Sequence, residues 1–308
     1  MTLPSAADSP LTLVTQPQQG YTAIYNLVNN AQKTIDLTMY ELTDTTAEND
    51  LVAAAARGVT VRVVLDTNRE RTHNQSAFTL LSGKGVHVVW ANTKYAATHQ
   101  KTLTVDGVTS AIMTGNLTSQ YYATSRDFAV IDTTATDVTA IEKVFNADYA
   151  HTSITPGDGA DLVWRPTDSE PQLLALINGA TASLQVENEE MGLPAVTTAL
   201  QNAAKRGVSV QVIMTNTAND YATEFDALTA AGAKVSTYAA DAPLYIHAKA
   251  IVADYGRSGA KVFLGSENFS SASLTENREL GLITTDSAVM SSVHSTLASD
   301  YAGGTLWS

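Results

Sequence analysis

Cysteine is absent from the chain. Its absence excludes disulfide bonds, thiolate metal sites and cysteine catalysis. His-x-x-x-His and Gly-x-Ser-x-Gly strings are missing too, which argues against metal hydrolases and serine hydrolases of the common types. Long apolar runs are also lacking, because no stretch approaches the ~18 to 20 residues that a membrane-spanning helix needs. We therefore expect a soluble chain.

Positive charge is scarce. The chain has 18 Lys and Arg against 31 Asp and Glu, a formal net charge of −13, and its isoelectric point is about 4.7. An acidic surface repels a polyphosphate backbone at long range, although a local basic pocket can persist on an acidic protein. Nucleic acid is therefore predicted to be an unlikely partner.

The first ten residues lack the basic and apolar regions of a signal peptide. One interpretation is a cytoplasmic protein. The other is a secreted protein in its mature form, lacking its signal peptide and given a start Met. Low lysine and abundant Thr, Ser and Ala favour secretion, and the cytoplasm stays the alternative.

The sequence repeats itself at an offset of 149 residues. Residues 27–31 reappear at 176–180, and 56–61 reappear at 205–210. A repeat of about half the chain is too long for a solenoid and indicates a duplicated domain. We predict two similar halves, residues 1–152 and 153–308, joined by a Pro- and Gly-containing connection at 151–166.

Each half shows helices alternating with strands. Predicted helices are 20–32, 47–57 and 75–83 in the first half and 170–181, 195–206 and 222–231 in the second; predicted strands are 34–40, 59–65 and 86–90, then 183–186, 208–214 and 234–238. This alternation predicts an α/β fold in which each half is a largely parallel (mixed) β-sheet flanked by helices.

A polar motif follows in each half. His99, Lys101 and Asp106 form an H-x-K-x4-D string, and His247, Lys249 and Asp254 form a second one. In a strand, residues two apart point to the same face, so each His and Lys should project together. A charged Lys on a core strand is costly unless it serves a site.

A second constellation lies downstream of each motif. Asn116 and Asp127 in the first half correspond to Asn268 and Glu279 in the second. The Asn-to-acid spacing is eleven residues in both halves, whereas the His-to-Asn spacing is 17 and 21. The polar residues thus keep their order while the intervening loop varies in length.

Together these motifs resemble those of the phospholipase D superfamily, whose signature is a duplicated H-x-K-x4-D motif followed by a Gly and Asn. The resemblance covers nearly the whole chain. It implies that the halves pack pseudo-symmetrically around one active site, which needs neither metal nor cofactor. It also implies a phosphohistidine intermediate.

The resemblance gives each motif residue a role. His99 is expected to be the nucleophile and His247 the acid and base. Cationic and amide groups should bind the substrate phosphate, and these are Lys101, Lys249, Asn116 and Asn268. Asp127 and Glu279 should hold the far ring nitrogens of the histidines. Asp106 and Asp254 are expected to brace the halves without touching substrate.

Several residues outside these motifs allow more than one interpretation. His73, His87, His151 and His294 are expected to be core or exposed residues without a role. Glu187, Glu189 and Glu190 follow one strand, either as a solvated acidic patch, the favoured interpretation, or as a cation site; Glu189 and Glu190 align with Tyr40 and Glu41, so a pocket-lining role stays open. Tyr121, Tyr122 and Phe128 suit either a lipid contact or the core, and Arg126 and Arg278 suit structural ion pairs.

The leading functional hypothesis is hydrolysis of a glycerophospholipid to phosphatidic acid and a head-group alcohol, with transfer to another alcohol as a related activity. We expect a peripheral, monomeric enzyme that meets its phospholipid at a membrane or micelle surface. The first alternative is a nuclease or another small phosphodiesterase of the same superfamily, and the few basic residues near the motifs disfavour the nuclease. A non-catalytic module that binds phosphate or lipid head groups is the second.

Overall fold

The computed structural model describes residues 9–308, so residues 1–8 of the N-terminal segment, where signal-peptide features were sought, lie outside the described residues. The first half contains β1 (Leu11–Gln16), α1 (Thr22–Asn30), β2 (Thr34–Met39), α2 (Thr45–Ala56), β3 (Thr60–Leu65), α3 (Arg71–Gly83), β4 (His87–Trp90), β5 (Thr102–Val105), β6 (Thr109–Met113), a short 3-10 helix (Ser119–Tyr121), β7 (Ser125–Asp132) and α4 (Ala135–Tyr149).

The second half repeats this order with small additions. It contains β8 (Leu162–Arg165), α5 (Ser169–Gly179), β9 (Ser183–Glu187), α6 (Pro194–Lys205), β10 (Ser209–Asn216), α7 (Ala222–Ala230), β11 (Lys234–Ala239), β12 (Tyr245–Ile246), β13 (Ala250–Ala253), β14 (Lys261–Gly265), α8 (Ser271–Thr275), β15 (Glu279–Thr284), α9 (Ser287–Gly303) and β16 (Thr305–Leu306). The predicted α/β class and its two similar halves are confirmed.

The two sheets have eight strands each and are mixed. The first has the order β1-β7-β6-β5-β2-β3-β4, with β12 of the second half pairing with β7, and the second has the order β16-β11-β10-β9-β13-β14-β15-β8. Strands β2-β3-β4 and β9-β10-β11 pair in parallel, as does β12 with β7, and the other strand pairings within residues 9–308 are antiparallel. The parallel part is therefore smaller than the sequence suggested.

Local signals explain where the helices between parallel strands begin and end. Asp44 caps α2 by accepting hydrogen bonds from the backbone N–H groups of Thr46 and Ala47, and Pro194 occupies the first turn of α6. Both helices are followed by a glycine with positive φ, Gly58 at 92° and Gly207 at 89°. Glycine adopts this conformation readily, so the chain turns at once into β3 and β10.

Three apolar clusters account for most of the core. One packs α1, α2 and α3 on the outer face of the first sheet, and a second packs α5, α6 and α7 on the outer face of the second. The third lies between the halves and joins the inner faces of both sheets with α4 and α9. The halves therefore share a continuous apolar interface, and the polar motifs lie along its edge.

The predicted connection at 151–166 is only partly irregular. Its last residues form β8, which pairs with β15 at the edge of the second sheet, Leu280 opposite Trp164. Trp164 is fully buried, and this burial explains why the segment is held as a strand. Among the described residues, no helix combines the length and apolar character needed to cross a membrane.

Candidate active site

The two H-x-K segments lie just before strands rather than on them. His99 and Lys101 precede β5, and His247 and Lys249 lie between β12 and β13. The predicted strand placement is thus wrong by a few residues. The carbonyls of Lys101 and Lys249 accept hydrogen bonds from Met113 and Gly265 of their own sheets, whereas the N–H groups of the histidines need another partner.

That partner is the opposite half. The backbone N–H groups of His99 and Gln100 both donate to the carbonyl of Arg278, each at 3.0 Å, and the N–H of His247 donates to the carbonyl of Arg126 at 3.3 Å. Each arginine directly precedes the acid of its own half. The backbone pairing therefore carries each histidine to the acid of the other half.

His99 meets Glu279 across this interface. Its Nδ1 lies 2.9 Å from Glu279 Oε2 and 3.1 Å from the carbonyl oxygen of Ser266. Both neighbours are acceptors, so Nδ1 must carry the proton, and Nε2 of the neutral ring keeps its lone pair. Burial lowers the pKa of His99, although Glu279 opposes this shift. Nε2 is therefore a nitrogen able to attack an electrophile.

Four side chains donate to the carboxylate of Glu279. Besides His99 these are Ser266 at 2.6 Å, Ser273 at 2.7 Å and Asn277 at 2.9 Å. Burial alone would raise the pKa of Glu279, but His99, Lys101 and these hydrogen bonds outweigh it and lower the pKa. A carboxylate that is ionised and accepts four hydrogen bonds is held in place. It therefore fixes the orientation of the His99 ring.

His247 has the corresponding contact with Asp127. Its Nδ1 lies 2.8 Å from Asp127 Oδ1, and Thr114 and Ser125 also donate to that carboxylate, at 2.7 and 2.8 Å. Burial of Asp127 is outweighed by His247 and Lys249, so its pKa is lowered. The acids are thus exchanged between the halves, since each histidine is held by the half to which it does not belong.

The far sides of the two rings differ. Nε2 of His247 lies 3.3 Å from Lys249 Nζ and 3.4 Å from Glu189 Oε2. His99 instead packs against the edge of Tyr40, with the ring centroids 4.6 Å apart. A protonated His247 can donate a proton from Nε2, whereas the surroundings of His99 suit a neutral ring.

The two lysines lie beneath the site and are almost completely buried. Lys101 Nζ donates to the carbonyl of His99 and lies 5.1 Å from the centroid of the Tyr40 ring. Burial, reinforced by Lys249, lowers the pKa of Lys101 to about 7. An anion arriving here would restore the charge of this lysine.

A cavity of about 650 Å³ opens above the histidines. Its wall includes His99, His247, Asn116 and Asn268, together with five tyrosines (Tyr21, Tyr40, Tyr121, Tyr122 and Tyr245). The structure therefore brings the histidines and asparagines of both motifs to one cavity, with the lysines below it. A space of this size accommodates a phosphodiester with part of its alcohol groups.

Asp106 and Asp254 lie away from this cavity. Asp106 accepts hydrogen bonds from the backbone N–H groups of residues 32–34, and Asp254 from those of 181–183. Both residues have φ of 55°. Each therefore ties the turn after a motif strand to the start of the neighbouring strand within its own half, and neither braces one half against the other.

Arg126 and Arg278 form the structural ion pairs that the sequence suggested. Arg126 lies 2.5 Å from Asp300 of α9, and Arg278 lies 2.8 Å from Asp148 of α4. All four side chains are buried. These pairs fix the carbonyls that receive the H-x-K segments, which makes the arginines part of the support for the site.

The three glutamates at the end of β9 and just beyond it do not form one acidic cluster. Glu187 is fully buried, and burial together with Asp300 raises its pKa well above the usual range. Glu189 lines the cavity and is bonded to Lys249 at 3.2 Å, while Glu190 accepts from Asn268 at 3.1 Å. Neither a shared cation site nor a solvated patch describes them.

A group that could hold a metal ion occurs elsewhere. Within the part of the chain that the structure describes, ligand atoms of Glu41, Glu70 and His73 lie within 4.8 Å of one another, in a second pocket that shares Glu41 with the cavity. The side chain of His73 is 66% exposed, and exposed acidic groups often approach each other without an ion. We assign no role to this group.

The remaining candidates divide between the cavity and the core. Tyr121 and Tyr122 line the cavity, and Tyr121 is 54% exposed, whereas Phe128 is buried in the cluster between the halves. The four other histidines are exposed or partly exposed, as expected: His73, His87, His151 and His294.

Sequence reasoning missed the groups that orient the acids. Thr114 and Ser266 hold Asp127 and Glu279, and they stand 13 residues before those acids in both halves. Comparing the two halves position by position would have revealed this equivalence. Tyr245 gave no such signal, because its place in the cavity follows from long-range packing.

Comparisons with known proteins agree with this architecture. A search of curated proteins finds no match. Among solved structures, polyphosphate kinase from Porphyromonas gingivalis is 16% identical, with a TM-score of 0.73 over 94% of this chain and 50% of that one. Phosphatidylserine synthase from Haemophilus influenzae is 11% identical, with a TM-score of 0.69 over 94% of this chain and 86% of that one.

A third structure, the phospholipase D family member Nuc from Salmonella typhimurium, is 23% identical and covers 47% of this chain and 95% of its own, with a TM-score of 0.43. This chain spans half the length of the polyphosphate kinase. The family model for the phospholipase D-like domain of cardiolipin synthase matches residues 24–149 and again 173–301. Because these matches cover most of both halves, the chain belongs to the phospholipase D superfamily, whose members act on phosphodiesters.

Proposed function

We propose that the protein is a phospholipase D-type phosphodiesterase that hydrolyses glycerophospholipids to phosphatidic acid and a free head-group alcohol. The observation that carries the proposal is the exchange of acids between the halves. It leaves His99 with a free Nε2 lone pair and gives His247 a second ring nitrogen facing the same cavity. Two histidines in different protonation states are what a two-step displacement at phosphorus requires.

In the first step, His99 Nε2 attacks phosphorus and forms a P–N bond. The P–O bond to the head-group alcohol breaks, and His247 donates a proton to the departing oxygen. In the second step, water attacks phosphorus and gives its proton to His247. The P–N bond then breaks and phosphatidic acid leaves. Another alcohol in place of water would produce a new diester, so the same site would perform transphosphatidylation.

The lysines and asparagines of the site would stabilise the negative charge around the phosphorus. Lys101 and Lys249 approach the site from below, and Asn116 and Asn268 line the cavity. They would donate to the non-bridging oxygens, which carry the negative charge in both steps. The residues of the site come from one chain, which supports a monomeric enzyme working at a membrane or micelle surface.

Lipid is favoured over nucleic acid because of the cavity wall. Five acids line it, Glu41, Asp127, Glu189, Glu190 and Asp241, alongside the five tyrosines. A nucleic-acid strand carries a charge at every nucleotide and would be repelled by these carboxylates. A single phosphodiester with an apolar portion avoids most of that repulsion and can pack against the aromatic rings.

The test is mass spectrometry of mixed phospholipid micelles incubated with the protein, ethanol and EDTA. We expect phosphatidic acid and phosphatidylethanol, both lost in His99→Ala. Bis(p-nitrophenyl) phosphate and single-stranded DNA serve as parallel substrates. Cleavage of these without any lipid product would reject the lipid assignment and leave a nuclease or small phosphodiesterase. Failure to cleave any diester would favour a binding module.

A further inference from the structure

Glu189 occupies an unexpected place in the site. Its Oε2 lies 3.2 Å from Lys249 Nζ, 3.4 Å from His247 Nε2 and 3.4 Å from Asn268 Nδ2. The hydroxyl of Tyr245 donates to its other oxygen at 3.2 Å. Three of these four groups are the donors expected to bind substrate phosphate or to protonate the leaving alcohol.

The carboxylate of Glu189 is therefore a chemical stand-in for a phosphoryl oxygen. Both are anionic acceptors that take charge-assisted hydrogen bonds from ammonium, imidazolium and amide groups. Burial alone would raise the pKa of Glu189, but His247 and Lys249 outweigh it, and the pKa lies well below the usual range. The side chain is 24% exposed on the cavity side, so it can turn aside when a ligand arrives.

The other half of the molecule differs at the corresponding place. Tyr40 stands at the equivalent position of the repeat, 149 residues earlier. Its ring faces Lys101 and the edge of His99. A neutral ring thus lies beside one histidine–lysine pair and a carboxylate beside the other. The negative charge at Glu189 is therefore a feature of this position and not a requirement of the repeated fold.

We propose that Glu189 is a specificity-determining residue that admits monoanionic phosphodiesters and disfavours dianionic phosphomonoesters, including the phosphomonoester product. This inference rests on the proposed function as a phosphodiesterase. A diester carries one negative charge, whereas a monoester carries between about 1.5 and 2 near neutral pH. A carboxylate that shares its donors with the ligand, and stays close after it is displaced, repels the second charge more strongly. The product would then leave readily.

The experiment measures binding and not turnover. Methyl phosphate and dimethyl phosphate are titrated by ligand-observed ³¹P NMR at about pH 8, where they carry close to two charges and one charge. Three proteins are compared: native, Glu189→Gln and Asp241→Asn. Asp241 is an exposed acid at the rim of the same cavity, so its substitution removes the same charge without touching Lys249 or His247.

We expect Glu189→Gln to bind methyl phosphate about tenfold or more tightly than the native protein, with a smaller gain for dimethyl phosphate. Asp241→Asn should change either affinity by less than about twofold. Glu189→Asp, which keeps the charge, should retain the native preference for the diester. Thermal unfolding of each variant establishes that it is folded.

Three results would overturn the proposal. They are an unchanged or weaker affinity of Glu189→Gln for methyl phosphate, equal gains for both esters, and a Glu189→Asp protein that behaves like Glu189→Gln. The proposal would also be overturned if folded Glu189→Gln bound neither ester. If instead the binding differences appear while native protein cleaves no diester, the proposed function fails and the role of Glu189 in anion selection stands.

Discussion

His99 and His247 have nearly identical sequence motifs but different surroundings. His99 is buried beside a tyrosine ring, and burial lowers its pKa. His247 faces a carboxylate and an ammonium group on the cavity side. The division of labour that we propose, between a neutral nucleophile and a proton donor, would thus be set by the neighbours of the motifs. The motifs alone suggested it only through family resemblance.

The role of Glu279 can be tested against a neighbouring glutamate. In Glu279→Gln the uncharged amide no longer holds His99 in the tautomer with a free Nε2. We expect the initial rate of diester cleavage to fall by a factor of about 10² to 10⁴. Binding of dimethyl phosphate should change little, so the loss would appear in kcat and not in KM.

Glu267→Gln is the matched control. Glu267 is as deeply buried as Glu279, but burial and the charge of Glu279 raise its pKa well above the usual range. It is therefore already neutral, and glutamine reproduces its hydrogen bond with Ser169. The rate should stay within about threefold of native. Full activity in Glu279→Gln, or equal losses in both variants, would contradict the assigned role.

Lys101 gives a prediction about protons. With a pKa lowered to about 7 by burial, most molecules carry a neutral Lys101 at about pH 8. An anion bound nearby favours the charged form, so binding should take up protons. We expect dimethyl phosphate to raise the pH of an unbuffered solution containing native protein, read with an indicator dye. In Lys101→Met the uptake should be lost, and uptake of the native size in that variant would refute the assignment.

At the scale of the elements, regular structure was well predicted where the sequence is locally periodic. The strands at 59–65 and 208–214 and the helices before them agree with β3, β10, α2 and α6 to within a few residues. The Arg-Gly pair ends both helices because glycine accepts positive φ there. These features depend on neighbours along the chain, and such neighbours are visible in a sequence.

Elements that depend on distant partners were missed. β8 was interpreted as part of a loop because Pro and Gly surround it, yet Trp164 buries itself against the second sheet. α9 was not predicted, although its buried Val289, Val293, Leu297 and Asp300 have helical spacing. The H-x-K segments appeared strand-like because their residues alternate, but the backbone partners of their histidine N–H groups lie in the other half.

The hydrogen bonds that Asp106 and Asp254 accept from backbone N–H groups should stabilise the fold. In Asp254→Asn one charged acceptor of several backbone N–H groups is lost, and we expect the free energy of unfolding to fall by about 1 to 2 kcal/mol. Asp106→Asn should behave in the same way, because it makes the equivalent contacts. Asp241→Asn should change the value by less than about 0.5 kcal/mol. Urea titrations would measure all three.

The same variants carry a pH signature. Burial opposes the shift, but backbone N–H groups lower the pKa of Asp254 below its ordinary 3.8. Because the pKa is lower in the folded state, the carboxylate of Asp254 stabilises the fold above about pH 3.8. This stabilisation is lost as the pH falls through the pKa of the folded state. The difference in the free energy of unfolding between the native protein and Asp254→Asn should therefore be constant from pH 7 to about 5 and shrink below pH 4. A difference that grows on acidification would contradict this origin.

For the whole molecule, duplication predicted two similar halves, but it did not predict how they exchange residues. The offset of the repeat relates each histidine to its counterpart. It does not indicate which acid each histidine contacts. That information lies in the packing of α4, α9 and both sheets into one apolar cluster. Because Glu279 serves His99 and Asp127 serves His247, neither half contains a complete site.

This arrangement predicts that the halves depend on each other without depending on the covalent link. A protease recognition sequence inserted after Ser153, in an exposed part of the connection, would allow the folded chain to be cut between 1–153 and the remainder. The apolar interface and the ion pairs of Arg126 with Asp300 and Arg278 with Asp148 cross the cut. We expect the fragments to elute together, to unfold in one transition and to keep the rate of diester cleavage within about twofold.

Separating the fragments supplies the opposite arm of the experiment. After isolation in urea and removal of the denaturant, each fragment has a histidine without its acid and an apolar inner face exposed to water. Each alone should be inactive and prone to aggregate, because an exposed core face drives association. Mixing the two before removing the urea should restore activity. A single fragment that cleaves diesters at a native rate would show that the exchanged acids are dispensable, and the site would then have to be built within one half.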